Sequence, residues 1–255
     1  MIWLRAQRRK IFPGALTQGR PEAELPAGLG GKLVALPTRF GRVAGLFGAA
    51  PDARLRPTAI FFYGNSSCLA TSGREFAALR ALGLNVLIPE YPGYGLSAGQ
   101  PSERGCSAAA VAAYDFLLGQ PEIDPERIVA VGRSLGSAVA IDLAGRRRLA
   151  ALATISAFTR MPDMARRVAP RNPFRFLLPD RFDSLKKIRA VTCPILILHG
   201  TQDDYVPWAM AGQLAAAAGS AAVTRVDLQG VGHPDVFERA GDEIWSALGG
   251  FFGRV

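Results

Sequence analysis

Eight short runs of aliphatic and β-branched residues recur along the chain, and longer segments with apolar residues at helical spacing lie between them. The runs are LVAL (33–36), RVAGLFG (42–48), TAIFFY (58–63), NVLIP (85–89), RIVAVG (127–132), LATIS (152–156), PILILH (194–199) and VTRVDL (223–228). The middle runs are apolar without alternation, as strands are when both faces of their sheet are covered. Helices are predicted over 72–83, from a Ser start to a Gly stop, and over 102–119, opened by Ser102 and closed by Gly119. Two more are predicted over 134–145 and about 235–248, the last carrying Val236, Phe237, Ala240, Ile244 and Leu248 at helical spacing. Only 37–41 separate the first two runs, which predicts an antiparallel hairpin. The fold class is therefore α/β, with a mainly parallel eight-stranded sheet and helices on both faces.

One stretch breaks the alternation. Residues 157–193 hold four prolines and many arginines among apolar residues, and read as a small cap inserted over one end of the sheet. The chain, 1–255, is otherwise expected to be a single domain, without internal repeats or low-complexity linkers. A cap helix over about 162–168 would place Met161, Met164 and Val168 on one face and Arg166 and Arg167 toward the other. Arg160, Arg171, Arg175 and Arg181 add to the charge, and Phe174, Phe176, Leu177 and Leu178 to the apolar side. The apolar side either covers the core or forms an acyl pocket. The arginines are either solvated or face an anionic lipid surface or substrate.

Composition narrows the function classes. With 49% hydrophobic and 20% charged residues in 255, the chain can bury one large core. Its net charge of +9 is carried almost wholly by arginine. No zinc-finger spacing, aromatic RNA-binding pattern or recognition helix accompanies that charge, so nucleic acid is not an expected partner. Cys68, Cys106 and Cys193 are odd in number and far apart, which fits neither a metal site nor a disulfide framework and favours a reducing, cytoplasmic setting. No run reaches the roughly 20 apolar residues that cross a bilayer. The opening MIWLRAQRRKIFPG has its apolar residues before its charges, unlike a secretory signal. Ile2, Trp3, Leu4, Arg5, Arg8, Arg9 and Lys10 could lie at the inner face of a membrane or pack on the domain.

The candidate chemistry centres on Gly132-Arg133-Ser134-Leu135-Gly136, a G-x-S-x-G pattern where a predicted strand hands over to a predicted helix. A serine in so tight a turn needs small flanking residues, because strand and helix approach closely. Its hydroxyl would stand at the carboxyl end of the sheet, with the Leu135 N–H facing a developing oxyanion. A serine nucleophile needs a base and an orienting carboxylate. The chain has two histidines. His233 lies in a loop after the last strand, whereas His199 ends a strand and reads as support for the loop that follows. That loop, HGTQDDYVP, offers Asp203, with Asp204 as the alternative. The order Ser134, Asp203, His233 is that of a hydrolase triad.

On these motifs the chain resembles the α/β-hydrolase superfamily, and within it the short-cap serine hydrolases that include serine aminopeptidases. The resemblance runs from about residue 58 onward. PEYPGYGLSAGQPSERG is similar to that group's D-Y-R-G-Y-G-x-S-x-G-x-P-S-E-x-G segment, and CPILILHGTQDDYVP to its acid loop. It implies a second oxyanion donor at Asn65, with Ser66 as alternative, because Tyr63-Gly64-Asn65 stands where the family has His-Gly-Asn. Tyr63, Glu90 and Pro92 depart from the family's histidine, aspartate and arginine; these changes bear on loop geometry and on the alcohol or acyl side of the pocket. The implied activity is hydrolysis of carboxylic esters or thioesters, small-molecule or lipid, through an acyl-enzyme, with no metal and no cofactor. A peptidase or amidase, and a non-catalytic binding member of the fold, are the alternatives. Oligomeric state is left open.

Overall fold

The computed structural model describes residues 8–168, 178–219 and 222–254. Eight strands form one sheet: β1 (Lys32–Thr38), β2 (Gly41–Gly48), β3 (Thr58–Phe62), β4 (Asn85–Pro89), β5 (Ile128–Arg133), β6 (Ala151–Ile155), β7 (Ile195–Gly200) and β8 (Val223–Leu228). Their order is β1-β2-β4-β3-β5-β6-β7-β8. The pairs β1–β2 and β2–β4 are antiparallel, and every other pair is parallel. Each predicted strand is present, and the predicted hairpin is β1–β2. Every residue of β3, β4, β6 and β7 is buried, although successive side chains point to opposite faces. Both faces must therefore be covered.

The covering helices are α1 (Gly73–Ala81), α2 (Glu103–Leu118), α3 (Leu135–Ala144), α4 (Met161–Val168), α5 (Ser184–Lys187), α6 (Ala209–Ala217) and α7 (Val236–Phe252). Ser102 caps α2 by accepting the Gly105 N–H at 3.0 Å, as its sequence position predicted. The pattern did not predict α6, whose AMAGQLAAA lacks a polar face to set against its buried Met210, Ala211 and Leu214. In the cap, α4 spans the predicted helix, with Met164 buried, Met161 half-buried and Arg166 and Arg167 exposed; the side chain of Val168 lies outside the described residues. Arg171, Phe174, Arg175, Phe176 and Leu177 lie outside the described residues, as do Ile2, Trp3, Leu4 and Arg5. Among the described residues, no helix is long and apolar enough to cross a membrane.

The cap is rooted by charge. Glu103 at the start of α2 accepts the N–H groups of Arg181 and Phe182, at 2.8 and 2.9 Å. Its other oxygen takes Lys187 Nζ at 2.6 Å, and Lys187 also meets buried Asp142 of α3 at 2.9 Å. Burial alone would lower the lysine's pKa, but the two carboxylates outweigh it and raise it. The segment before β1 is tied to the same region. Arg8 pairs with buried Asp180 at 3.0 Å, and Phe12 packs on Phe182 with ring centroids 6.0 Å apart.

Between β5 and α3 the backbone turns through Ser134 at φ 52° and ψ −116°. This left-handed conformation costs a non-glycine residue about 1–3 kcal/mol. Close packing enforces it. A Cβ on Gly136 would fall on the Phe62 carbonyl at the end of β3, and one on Gly132 would fall on the Gly136 carbonyl. Both obstacles are backbone and cannot swing away. Gly136→Ala is therefore expected to cost about 3 kcal/mol, lowering Tm by roughly 6–12 °C in thermal unfolding. An unchanged Tm would mean that β3 and α3 are farther apart than this structure has them.

Candidate active site

Three loops at the carboxyl ends of β5, β7 and β8 bring Ser134, Asp203 and His233 together. His233 Nε2 lies 3.1 Å from Ser134 Oγ, and His233 Nδ1 lies 2.8 Å from Asp203 Oδ2. The other Asp203 oxygen accepts the N–H groups of Val206 at 2.6 Å and Tyr205 at 3.1 Å. Asp204 is exposed, and it is its backbone carbonyl that takes Arg167 of the cap, at 3.0 Å. Of the two candidate carboxylates, the fold thus brings Asp203 to the histidine.

Burial would raise the Asp203 pKa. The hydrogen bonds from His199 and His233, the charge of His233 and the Val206 N–H outweigh burial and hold the carboxyl well below the usual carboxylate range. An ionised Asp203 at neutral pH keeps the Nδ1–H tautomer of His233, leaving Nε2 free to accept a proton. His199 is fully buried, with Nε2 at 2.9 Å from the Val206 carbonyl and 3.5 Å from Asp203 Oδ2. It braces the acid loop, the role its strand-end position suggested. Tyr205 lies against His233 with ring centroids 5.1 Å apart.

The opposite wall is the loop after β3. A Cβ on Gly64 would sit 3.7 Å from Ser134 Cβ, so this loop passes directly beside the serine. Asn65 is tied on both sides: its Nδ2 donates to the Ile11 carbonyl at 3.0 Å, and its own carbonyl accepts Gly14 N–H at 3.0 Å and the Tyr94 hydroxyl at 2.9 Å. Among the described residues, neither the Asn65 N–H nor the Leu135 N–H has a hydrogen-bond acceptor. Ser66, the alternative to Asn65, is exposed.

Tyr63 is almost wholly shut off from solvent. It is buried under the loop against Tyr91 and Tyr94, with centroids 4.7 and 6.2 Å away, and its hydroxyl accepts the Tyr91 N–H at 3.2 Å. Burial raises the pKa of all three phenols, which stay neutral. Where the resemblance has histidine, this chain therefore packs a tyrosine beneath the loop after β3. Glu90 links the loops on either side by accepting Leu69 N–H at 3.1 Å, Leu96 N–H at 2.8 Å and Ser97 Oγ–H at 3.0 Å. Burial pushes its carboxyl up to about 7, against those three donors. Sequence reasoning missed the tether from Ile11 and Gly14, because nothing local to that segment signals a partner so far along the chain.

A family model described as "Alpha/beta hydrolase family" matches residues 61–187. An uncharacterized protein of Mycobacterium tuberculosis is 37% identical over 92% of this chain and 82% of its own length. An alpha/beta hydrolase domain-containing protein of Caenorhabditis elegans is 33% identical over 70% of this chain, which spans 53% of that relative. The Pyrococcus furiosus esterase Pf2001 superposes with a TM-score of 0.74 at 18% identity, over 88% of this chain and 91% of the esterase, a likeness of fold. The chain belongs to the α/β-hydrolase family.

Proposed function

We propose that the protein is a serine hydrolase that cleaves carboxylic esters or thioesters through an acyl-enzyme. The observation that carries this reading is the relay from Asp203 Oδ2 through both ring nitrogens of His233 to Ser134 Oγ, at 2.8 and 3.1 Å. In the first half, Ser134 Oγ attacks the carbonyl carbon while His233 Nε2 takes the hydroxyl proton. The oxyanion is held by the N–H groups of Asn65 and Leu135, at roughly 3 kcal/mol per donor. Collapse expels the alcohol or thiol, which leaves with the proton from His233. Water then enters, loses a proton to His233 and attacks the acyl carbon; collapse returns that proton to Ser134 and releases the acid.

The cap favours esters over peptides. A peptidase that reads an N-terminal ammonium needs a free carboxylate near the serine, and the described cap carboxylates already have partners within the fold. Asp163 holds both Arg160 and Arg166 at 2.9 Å, Asp180 holds Arg8, and Asp183 caps α5. Arg160 and Arg166 are correspondingly less free to meet an outside anion.

A panel of p-nitrophenyl esters from acetyl to palmitoyl, run beside an aminoacyl-anilide, tests the assignment. The expected result is saturable release of nitrophenol from the esters, none from the anilide, and inhibition by a fluorophosphonate. Cleavage of the anilide alone would replace the ester reading with the peptidase one.

A further inference from the structure

His233 must keep hydrogen-bond distance to a serine 99 residues away in the chain. The side chain that spans the gap is Arg133, the last residue of β5 and the immediate neighbour of Ser134. Its Nη2 donates to the His233 carbonyl at 3.2 Å and lies 3.4 Å from the Pro234 carbonyl. Among the described residues no other group donates to the His233 carbonyl. The guanidinium sits 5.2 Å over the Phe237 ring, itself stacked on Trp245 at 5.0 Å with planes 4° apart. Arg74 fixes that ring's residue from behind by donating to the Phe237 carbonyl at 3.1 Å.

This is an expensive place for a cation. Arg133 forms no ion pair among the described residues, and its Nε is buried without a partner, as is Glu75 Oε2. Burial pushes the guanidinium pKa down, opposed by the charges of Glu75, Glu238 and Asp203. A well-packed apolar side chain would serve stability at least as well. What an apolar side chain lacks is the rigid planar fork that can reach two carbonyls while lying flat on an aromatic ring.

We infer that Arg133 is a positioning residue for the base, locking the His233 loop to the elbow that carries the serine. Nucleophile and base then shift together when the loops breathe, and the distance between Oγ and Nε2 is preserved. The inference rests on the serine-hydrolase reading proposed above.

Arg133→Met keeps a long stem over Phe237 and removes every donor; Arg133→Lys keeps the charge and a single-point donor. In the full-length protein, the readouts are kcat and KM on a p-nitrophenyl ester and the rate constant for fluorophosphonate labelling. That rate constant belongs to each folded molecule, so a misfolded fraction lowers the labelled amount and not the rate. Arg133→Met is expected to lose on the order of 10²-fold in kcat, with KM changed by less than about threefold and labelling slowed in parallel. Arg133→Lys should fall between it and the wild type, and guanidinium added below denaturing concentration should accelerate Arg133→Ala alone. Wild-type labelling rates in Arg133→Met, a change confined to KM, or a lower labelled amount at unchanged rate would each overturn the inference. If the wild-type protein itself resists labelling, the serine-hydrolase reading fails first.

Discussion

Ser134→Ala is expected to lower kcat on esters by on the order of 10⁴-fold or more, the scale at which a triad nucleophile contributes. The chain should still fold. Among the described residues, Ser134 Oγ has a single hydrogen-bond partner, His233 Nε2. Losing one such bond costs about 1 kcal/mol, small against a domain stability of about 5–15 kcal/mol. The strain at Ser134 lies in its backbone, and alanine inherits it nearly unchanged. Turnover of a p-nitrophenyl ester and thermal unfolding, measured on one preparation, separate the two effects. Full activity with normal unfolding would end the serine-hydrolase assignment.

Asp203→Asn should lose nearly as much, on the order of 10⁴-fold in turnover, and the hydrogen bonds say why. The Oδ1 side of Asp203 accepts two backbone N–H groups, from Val206 and Tyr205. An asparagine would keep its oxygen there and turn its NH₂ toward His233 Nδ1. That nitrogen would have to become an acceptor, which moves the ring proton to Nε2, where it blocks uptake of the serine proton. Asp204→Asn, one residue on, changes an exposed side chain and should cost far less. Steady-state kinetics on the pair is the check. If Asp204→Asn were the damaging change, the acid loop would be in a different register from the one described.

The central strands were legible because they are short, rich in β-branched residues and apolar without alternation, as strands buried on both faces are. The serine turn was legible because steric crowding dictates glycine on either side, a constraint that acts within five residues. With two histidines in the chain, and only His233 in a loop able to reach the turn, the candidate base followed. The rest is non-local. Helix α6 is too rich in alanine to show a face. Tyr63 stood out in the sequence only as a departure from the family histidine; that its ring turns inward to two other tyrosines depends on partners about thirty residues later. Arg133 stands at an unspecified position of the G-x-S-x-G pattern, and its partners belong to a segment about a hundred residues later.

The segment before β1 is mechanically part of the candidate site. The family motifs begin near residue 58, and a designer trimming the chain to them would keep the sheet from β3 onward, the elbow and all three triad candidates. That fragment would lack Ile11 and Gly14, which grip Asn65 from its side chain and its carbonyl, and Arg8, the counter-ion of buried Asp180 at the base of the cap. One wall of the cleft would lose its anchor while the other stayed intact. The modular boundary suggested by motifs and the mechanical boundary of the cleft are therefore different, and the second begins no later than Arg8.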